Sequence, residues 1–582
     1  TTRLVGSEMC IRDRFMTVLA SLFLAGCSQE EITPSSEDNG SGEATTSYLA
    51  VNLVSSDATG TRVTGGDYED GSSEENNVTK VRFYFFDGLG GISNVKYNNG
   101  RYVNYYDWEN PTTADGNLND VEKILTATIV INTTLGDGLP QRIAAVINPD
   151  DVTGLGSSSL PLTTLKDITQ DYAASGLTSN GHFVMFNAVY SNGSTDISSV
   201  SIPEGKMKKT SGEATNDPVT IYVERSVAKV KVSLDRKIGF NDNLLEVKDK
   251  NGNPILVKGT DGSQQKVYLK LDKWGLTANT SIGRLVKKIN PRWNGSWWYN
   301  DHRSFWAINS ASAINQWHTY NDINTDLGTP LYTNENAQKN DIDAIGSAQA
   351  NTKVILKGTI CTANGNAVTI ARHGGAHFVD TETNGYPNLK KSILDMMRGY
   401  NYTYYYSVTV NNETTYTEIG PNDIEIKMAD QQANENSNNN CYVYAQLTTD
   451  AAKKTWHASN AKDAPEINAS VINGTLKDKK QGSETEYIID RPLLWKDGMT
   501  YYYYEIEHIQ NQNDTEKKNL VGVVRNHIYE TNITKIAGLG TPVYDPTKTI
   551  YPEKPENNDH FIAAQINILS WRVVKNDYEL EW

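Results

Sequence analysis

The stretch "VTIYVERSVAKVKVSL" (Val219–Leu234) decides the fold class. In its second half the apolar residues Ala228, Val230 and Val232 alternate with charged or polar neighbours. A period of two is typical of a β-strand with one buried and one solvated face. Similar short runs bounded by turn residues recur along the chain, for example "KVRFYFFDG" (Lys80–Gly88). The sequence therefore predicts an all-β protein built of β-sandwich domains, with helices confined to short pieces.

The composition and net charge of the chain argue against nucleic acid as a partner. The chain has 582 residues with 32 Tyr and a formal net charge of −16, and its pI is about 5.1. Because nucleic-acid binding requires clustered Lys and Arg against phosphates, we expect no nucleic acid as a partner. The length suffices for two to four domains with sizeable cores.

The N-terminal residues predict export. The segment "LVGSEMCIRDR" (Leu4–Arg14) resembles a translated sequencing-library adapter, so we treat residues 1–14 as an artefact. The run "FMTVLASLFLAGC" (Phe15–Cys27) is too short to span a bilayer and is typical of a lipoprotein signal peptide. Its ending "LAGC" resembles a bacterial lipobox, which predicts acylation of Cys27 and a precursor anchored in the outer membrane.

Residues 28–62 are predicted to form a propeptide made of a polar tether and a removable strand. That strand, residues 48–54, places Leu49, Val51 and Leu53 on one face. Arg62 follows in a soft, acidic tract that runs to Asn77, and it is the only Lys or Arg between Phe15 and Thr79.

The remaining chain divides at the polar stretch Ser211–Pro218. We expect an N-terminal sandwich at residues 63–215 and a C-terminal one at 219–550, which carries a Trp-rich region at 293–317. A Pro-rich leash and a last strand occupy 551–582. The apolar positions predicted for that last strand are Ile562, Ala564, Ile566 and Ile568, followed after a register change by Trp571 and Val573.

The removable strand, the basic residue Arg62 and the last strand are consistent with one mechanism of assembly. A cut after Arg62 would release the lipid, the tether and the removable strand together, and would leave an apolar groove with unpaired backbone groups. The last strand of a neighbouring copy could fill that groove, and repetition of this contact would give an open, head-to-tail filament. The alternative is that Arg62 is an ordinary loop residue and both strands belong to one monomer.

Catalytic and metal sites are poorly supported. In "RHGGAH" the residues His373 and His377 are four apart, but the glycines between them indicate a loop and not a helix. No nucleophile elbow or phosphate loop is present in the sequence. We therefore predict no enzyme activity, no metal and no cofactor. Cys361 and Cys441 could form a disulfide in an oxidising compartment, and two unpaired cysteines are an equal alternative.

Several blocks together resemble the shaft subunits of Bacteroidales type V fimbriae, of the minor-fimbrium fimbrilin family. They are "SYLAVNL" with the following "TR", "NNVTKVRFYFF", "VTIYVERSVAKVKVSL", "VVRNHIYETNITKIAGLG" (Val523–Gly540) and the terminal "AAQINILSWRVVKNDYEL". The resemblance implies two transthyretin-like β-sandwich domains. It also implies a lipoprotein precursor that an arginine-specific surface protease cleaves between Arg62 and Val63, and a subunit that polymerises by donor-strand exchange.

The implied partners are identical subunits, fimbrial anchor and tip proteins, and a host or bacterial receptor of unknown identity. The implied location is a cell-surface fimbrium that supports adhesion and biofilm formation. Two alternatives stay open. One is an anchor or tip subunit of the same fimbrium, and the other is a glycan-binding surface lipoprotein that binds sugars through the tryptophans Trp293, Trp297, Trp298 and Trp306. An anchor would keep its lipid and lack the cleavage site, whereas saturable binding of polysaccharide by the unpolymerised chain would support the glycan-binding alternative.

Overall fold

The structure is a computed structural model. It describes residues 45–56, 67–68, 71–111, 114–115, 121–133, 138–174, 181–191, 195–235, 244–289, 307–309, 315–336, 351–429, 442–477, 491–506, 508, 522–552, 561–569, 572–573 and 575–576.

Strands dominate the first part of the described chain. They are β1 (Thr45–Ser56), β2 (Asp67–Tyr68), β3 (Lys80–Phe86), β4 (Lys96–Asn98), β5 (Arg101–Val103), β6 (Tyr105–Glu109), β7 (Ala114–Asp115), β8 (Val121–Thr133), β9 (Arg142–Ile147), β10 (Thr169–Gln170), β11 (Met185–Asn187), β12 (Tyr190–Ser191), β13 (Asp196–Ile197), β14 (Val200–Ser201) and β15 (Val219–Arg225).

The second part is also built of strands. They are β16 (Val227–Leu234), β17 (Leu245–Glu246), β18 (Leu256–Lys258), β19 (Gln264–Lys266), β20 (Tyr268–Thr277), β21 (Asn279–Thr280), β22 (Gly283–Arg284), β23 (Asn315–Gln316), β24 (Thr325–Asp326), β25 (Leu331–Asn334), β26 (Lys353–Cys361), β27 (Ile370–His373), β28 (Ala376–Val379), β29 (Tyr405–Val410), β30 (Glu413–Glu418), β31 (Ile424–Met428), β32 (Val443–Leu447), β33 (Trp456–His457), β34 (Glu466–Ile467), β35 (Leu493–Trp495), β36 (Met499–Glu505), β37 (Ile528–Ala537), β38 (Thr541–Pro542), β39 (Phe561–Leu569), β40 (Arg572–Val573) and β41 (Lys575–Asn576).

Helices are few and short within the described ranges. They are α1 (Leu162–Asp167), α2 (Ser211–Thr215), α3 (Pro387–Gly399) and α4 (Ala469–Leu476). None of these helices has the length and hydrophobicity needed to cross a bilayer. The predicted all-β class with short helical insertions is therefore confirmed.

The first sheet has nine strands, in the order β6-β3-β9-β11-β15-β1-β8-β7 with β14 beside β9. One face of this sheet supplies a core that draws on strands as distant in the order as β6 and β8. Because distant strands share one core, the sheet curls around it. Its members include Leu49, Val51, Leu53, Val81, Phe83, Phe85, Trp108, Ile129, Ile143 and Ile221.

The second region contains two sheets that face each other across a common core. One sheet has the order β25-β16-β37-β39-β41, and the other has β17-β20-β26-β36-β38 with β24 beside β20. Ala228, Val230 and Val232 lie in this core, so the alternation seen in the sequence predicted the buried face of β16 correctly. A further cluster around α3, α4 and the strands β31 and β32 packs on the edge of this region.

The change from one sheet to the next comes one strand later than the polar stretch Ser211–Pro218 predicted. β15, which was assigned to the C-terminal domain, pairs with β1 and β11 of the first sheet. β16 follows after the single residue Ser226 and pairs with β25 and β37 of the second region. The polar stretch forms α2 and its flanks within the first region, because Thr210 caps that helix by accepting a hydrogen bond from the Glu213 backbone N–H at 3.3 Å.

Candidate functional site

The predicted removable strand is a central strand of the first sheet. β1 runs parallel to β15, with Val51 opposite Val219, and antiparallel to β8, with Leu53 opposite Leu125. The side chains of Leu49, Val51 and Leu53 are at most 1% exposed and lie in the core. The strand β1 therefore lies between two hydrogen-bonded neighbours, β15 on one edge and β8 on the other.

The opposite face of β1 is covered at one point. Ala50 has no exposed surface and does not belong to the core that takes Leu49 and Val51. The helix α2 packs against β1 and β8 on this side, and its Ala214 is also fully buried. Thr128, the partner of Ala50 on β8, lies 3.2 Å from Thr215 of α2 between their hydroxyl oxygens. We call α2 the lid helix of β1.

Two further contacts border β1 on its outer face and edge. The Thr126 hydroxyl donates a hydrogen bond of 2.9 Å to the side-chain oxygen of Asn52. The backbone of Tyr48 exchanges two hydrogen bonds of 2.9 Å with Lys208, which precedes the lid helix. The segment that contains the lid helix therefore pairs with β1 on the same edge as β15, at residues of β1 that precede the ladder with β15.

The predicted donor segment forms β39, which pairs antiparallel with β37 of the same chain. Ile562, Ala564, Ile566 and Ile568 occupy alternate positions of its backbone. The next segment pairs with the tract that follows Arg62, because Val573 lies opposite Asp67 in the ladder between β40 and β2. The two chain segments named by the sequence are therefore neighbours at this point.

Several of the other predicted site residues cannot be compared with the structure. Cys27, Arg62, Val63, Trp571 and Cys441 lie outside the described residues. Their predicted roles stay predictions.

Cys361 is a free, buried cysteine whose thiol lies 3.4 Å from the Tyr268 carbonyl oxygen. Burial raises the pKa of this thiol, while Lys270 acts in the opposite direction. Pairing of Cys361 with Cys441 stays a hypothesis, since only one of the two residues is described.

Two of the blocks that carry the family resemblance, "VERSVAK" within Val219–Leu234 and "VVRNHIY" within Val523–Gly540, meet at a buried junction. The Arg225 backbone N–H donates to the Asn526 side-chain oxygen at 3.2 Å, and the Asn526 N–H donates to the Val227 carbonyl at 2.7 Å. Arg525 is fully buried and pairs with Glu335 at 3.1 Å. The blocks therefore connect β15 of the first sheet to β16 and β37 of the second region.

Sequence reasoning missed Glu75 at this junction. The tract up to Asn77 was expected to be soft, but Glu75 is 1% exposed and its carboxylate lies 3.0 Å from the Lys229 ammonium. Tyr332 donates a hydrogen bond of 2.5 Å to the same carboxylate. Burial raises the pKa of Glu75, but the Tyr332 hydroxyl and Lys229 outweigh burial and hold it below its usual value. No alternation or motif in the acidic sequence signals this burial.

The structure gives no support to a metal site at the two histidines. His373 and His377 lie on the hairpin formed by β27 and β28, where His373 pairs with Ala376 and His377 pairs with Arg372. Adjacent strand positions face opposite sides of a sheet, so the two imidazoles cannot share an ion. Within the described ranges, no group of three or more His, Cys, Asp or Glu side chains could hold a metal ion.

The Trp-rich region is described only in part. Trp293, Trp297, Trp298 and Trp306 lie outside the described residues. Trp317 is described, and its ring packs at 5.1 Å from the ring of Tyr551. The structure therefore shows a packing contact for Trp317.

Comparison with known proteins finds a similarity in the C-terminal part of the chain. Residues 494–577 match the family model described as "Major fimbrial subunit protein type IV, Fimbrillin, C-terminal". This range contains β36 to β41 and all but the first residue of β35, and so includes the "VVRNHIY" block and the predicted donor segment. No curated protein matches the chain in sequence.

Several solved structures resemble the chain weakly. A fimbrilin from Porphyromonas gingivalis is 11% identical with a TM-score of 0.34, covering 89% of this chain and 96% of its own. A fimbrial assembly protein from Parabacteroides distasonis is 11% identical with a TM-score of 0.26, covering 65% and 97%. A tip fimbrial protein from Porphyromonas gingivalis is 13% identical with a TM-score of 0.26, covering 65% and 100%.

The structural likeness is weak, with TM-scores of 0.26 to 0.34 for these three proteins. Over residues 494–577, the chain is similar to the C-terminal region of the fimbrillin family.

Proposed function

We propose that this protein is the structural shaft subunit of a cell-surface fimbrium and polymerises by donor-strand exchange. The observation that carries the proposal is the position of β1. It is a central strand, it places three apolar side chains in the core, and in the sequence the lone basic residue Arg62 lies between it and the buried Glu75.

Loss of β1 would leave a groove that requires an occupant. A fully buried Leu or Val side chain contributes about 1.5–3 kcal/mol, so Leu49, Val51 and Leu53 together contribute about 5–9 kcal/mol. Whole domains are stable by only about 5–15 kcal/mol. The vacated edges of β15 and β8 would also expose unpaired backbone groups, which another extended strand can satisfy.

The anchoring of Glu75 supports maturation at Arg62. Cleavage between Arg62 and Val63 would release everything before Val63 while leaving residues 71–77 attached to the body. The carboxylate of Glu75 contacts Lys229 of β16 and Tyr332 of β25, so the new N-terminal segment would stay docked at the junction. The groove would then open without loss of the connection between the two regions.

The C-terminal strand is the proposed occupant in the next subunit. Among the described strands, β39 lies next to the end of its sheet, with only the two-residue strand β41 beyond it. A strand near an edge can leave with less disruption than a central one. In this proposal the precursor is an outer-membrane lipoprotein acylated at Cys27, an arginine-specific surface protease matures it, and anchor and tip proteins complete a fimbrium that supports adhesion and biofilm formation.

Limited trypsin treatment of the purified full chain tests the proposal. We expect the first cut after Arg62, a new N-terminus at Val63 by mass spectrometry, and conversion of monomer to ladders on a gel. The matched control Arg62→Gln keeps every other basic residue and should stay monomeric under the same treatment. A second control that ends at Asp559 should be cut and stay folded but not polymerise. Monomer that persists after complete cleavage of the wild-type chain would count against strand exchange.

A further inference from the structure

The donor segment repeats the residue pattern of β1. β1 contains "YLAVNL" (Tyr48–Leu53) and β39 contains "FIAAQI" (Phe561–Ile566). In both, an aromatic residue is followed by an aliphatic residue, an alanine, an aliphatic or small apolar residue, an amide and an aliphatic residue. The match holds when the two segments are read in the same direction.

The surroundings of β1 explain why each position of this pattern matters. Leu49, Val51 and Leu53 enter the core, so their positions require apolar side chains. Ala50 has no exposed surface on the face where the lid helix packs, so its position admits only a small side chain. Asn52 accepts the hydrogen bond of Thr126, so its position favours an amide.

We infer that the donor strand enters the groove in the direction of β1, with residue 563 at the position of Ala50 beneath the lid helix. This inference rests on the proposed function and adds the polarity and register of the partner strand, which belongs to a second copy of this chain. Ile562, Ala564 and Ile566 then replace Leu49, Val51 and Leu53, and Gln565 brings an amide to Thr126.

The opposite direction fits less well. With Ala563 again beneath the lid helix, a reversed strand places His560 at the core position of Leu53. The other reversed registers that keep at least two isoleucines in the core place Gln565, Asn567 or Leu569 at the position of Ala50. All three side chains are larger than alanine at a site without exposed surface, and overpacking of this kind is destabilising.

Disulfide trapping measures the direction. Cysteines are introduced in the full chain, with its four existing cysteines replaced by serine, as the pairs Q565C with T126C and Q565C with V130C. In the inferred direction residue 565 takes the place of Asn52, which lies opposite Thr126; in the reversed direction with Ala563 beneath the lid helix it takes the place of Tyr48, opposite Val130. A reversed strand with Asn567 at the position of Ala50 would also bring residue 565 opposite Thr126, so a third pair, F561C with V130C, separates these two cases. Residue 561 lies opposite Val130 in the inferred direction and opposite Val121 in that reversed register. Directly opposite positions bring Cβ atoms within about 4.5–5.5 Å, close enough to trap a bond. After maturation and oxidation we expect intersubunit crosslinks from Q565C with T126C at least about tenfold more than from Q565C with V130C.

Two adjacent alanines supply a matched test of the lid helix. Ala563→Val adds two methyl groups beneath it and should slow polymerisation about tenfold or more. Ala564→Val makes the same change at a core position where β1 itself has valine, and should leave the rate unchanged or raise it. Polymer with the crosslink between Q565C and V130C, or an Ala563→Val chain that polymerises like wild type, would overturn the register alone. Absence of polymer from fully cleaved wild-type chain would overturn strand exchange itself, and the register with it.

Discussion

The packing of β1 gives the sharpest prediction for the precursor. Leu53 is 1% exposed, and it lies between Leu125 of β8 and Ile221 of β15 in the paired registers. Truncation of a buried leucine to alanine costs about 2–5 kcal/mol because it removes apolar contacts and leaves a cavity. We therefore expect Leu53→Ala to weaken the pairing of β1 with both neighbours while the rest of the fold persists.

Hydrogen exchange followed by mass spectrometry measures this effect locally. Amide exchange in β8 and β15 should accelerate roughly 30-fold or more, since every 1.4 kcal/mol corresponds to a factor of ten. The matched control Asn52→Ala changes the neighbouring position and loses one exposed hydrogen bond to Thr126. That control should cost less than about 1 kcal/mol and accelerate exchange less than about fivefold.

The second region serves as an internal reference. Amides in β26 and β36 should exchange at the wild-type rate in both variants, because neither strand contacts β1 in the sheet order. Equal protection of β8 in Leu53→Ala and Asn52→Ala would refute the reasoning. It would mean that β1 does not fill the core of the first sheet in solution.

Three further predictions concern buried groups elsewhere. Glu335→Ala removes the carboxylate partner of the fully buried Arg525 and should lower the free energy of unfolding by about 3–5 kcal/mol in denaturant titrations. Burial first, and repulsion by Arg372 second, lower the pKa of His377 to about 4, against an ordinary value near 6.5. Between these two pH values the unfolded chain therefore binds more protons than the folded chain. The stability that His377 contributes above pH 6.5 should be lost as the pH falls towards 4. Allowing for the partial exposure of the side chain, His377→Gln should reduce the change in the free energy of unfolding across this pH range by about 1–2 kcal/mol. Cys361 should resist alkylation in the native chain and react fully once the unreduced chain is unfolded, whereas a disulfide with Cys441 would block the second reaction.

The sequence predicted the strands that have one buried face. Alternation identified Leu49, Val51 and Leu53 in β1 and Ala228, Val230 and Val232 in β16, and all six are buried. A strand with one solvated face produces a period of two, which is readable without knowledge of the partner strands. The same logic identified β39 as a strand, although its partner β37 was not predicted from the sequence.

Burial of polar residues could not be predicted in the same way. In β3 the apolar residues Val81, Phe83 and Phe85 alternate with Arg82 and Tyr84, yet Arg82 is only 8% exposed. Its guanidinium pairs with Asp107 at 2.6 Å and lies over the ring of Tyr105 at 4.3 Å. Glu75 is the stronger example, because it lies in a run of Ser, Glu and Asn that is typical of a loop. In both cases the burial depends on partners far away in the sequence, and local composition carries no information about them.

The predicted boundary and the change of sheet fall at different places for a related reason. A polar stretch such as Ser211–Pro218 commonly separates domains, but here it forms the lid helix of the first sheet. The true change of sheet falls at Ser226, inside an uninterrupted β-rich run, since β15 and β16 bury their side chains in different cores. Hydrophobic period alone cannot show that two consecutive strands belong to different sheets.

The shared pattern of β1 and the donor segment has a consequence for timing. If the same groove accepts either strand with similar contacts, contact energy alone does not select between them. While β1 is covalently attached, its effective concentration at the groove is of the order of millimolar, whereas a donor strand from another subunit is present only at the concentration of the protein. At a subunit concentration of the order of micromolar, the attached strand would occupy the groove about a thousandfold more than a donor strand from another subunit. In the proposed maturation a single cut after Arg62 would remove this advantage, because the released strand could then dilute away while each bound donor would bring a new groove with it. Covalent attachment of β1 would thus keep the precursor monomeric, and its removal, without any change in the groove itself, would permit the filament to grow.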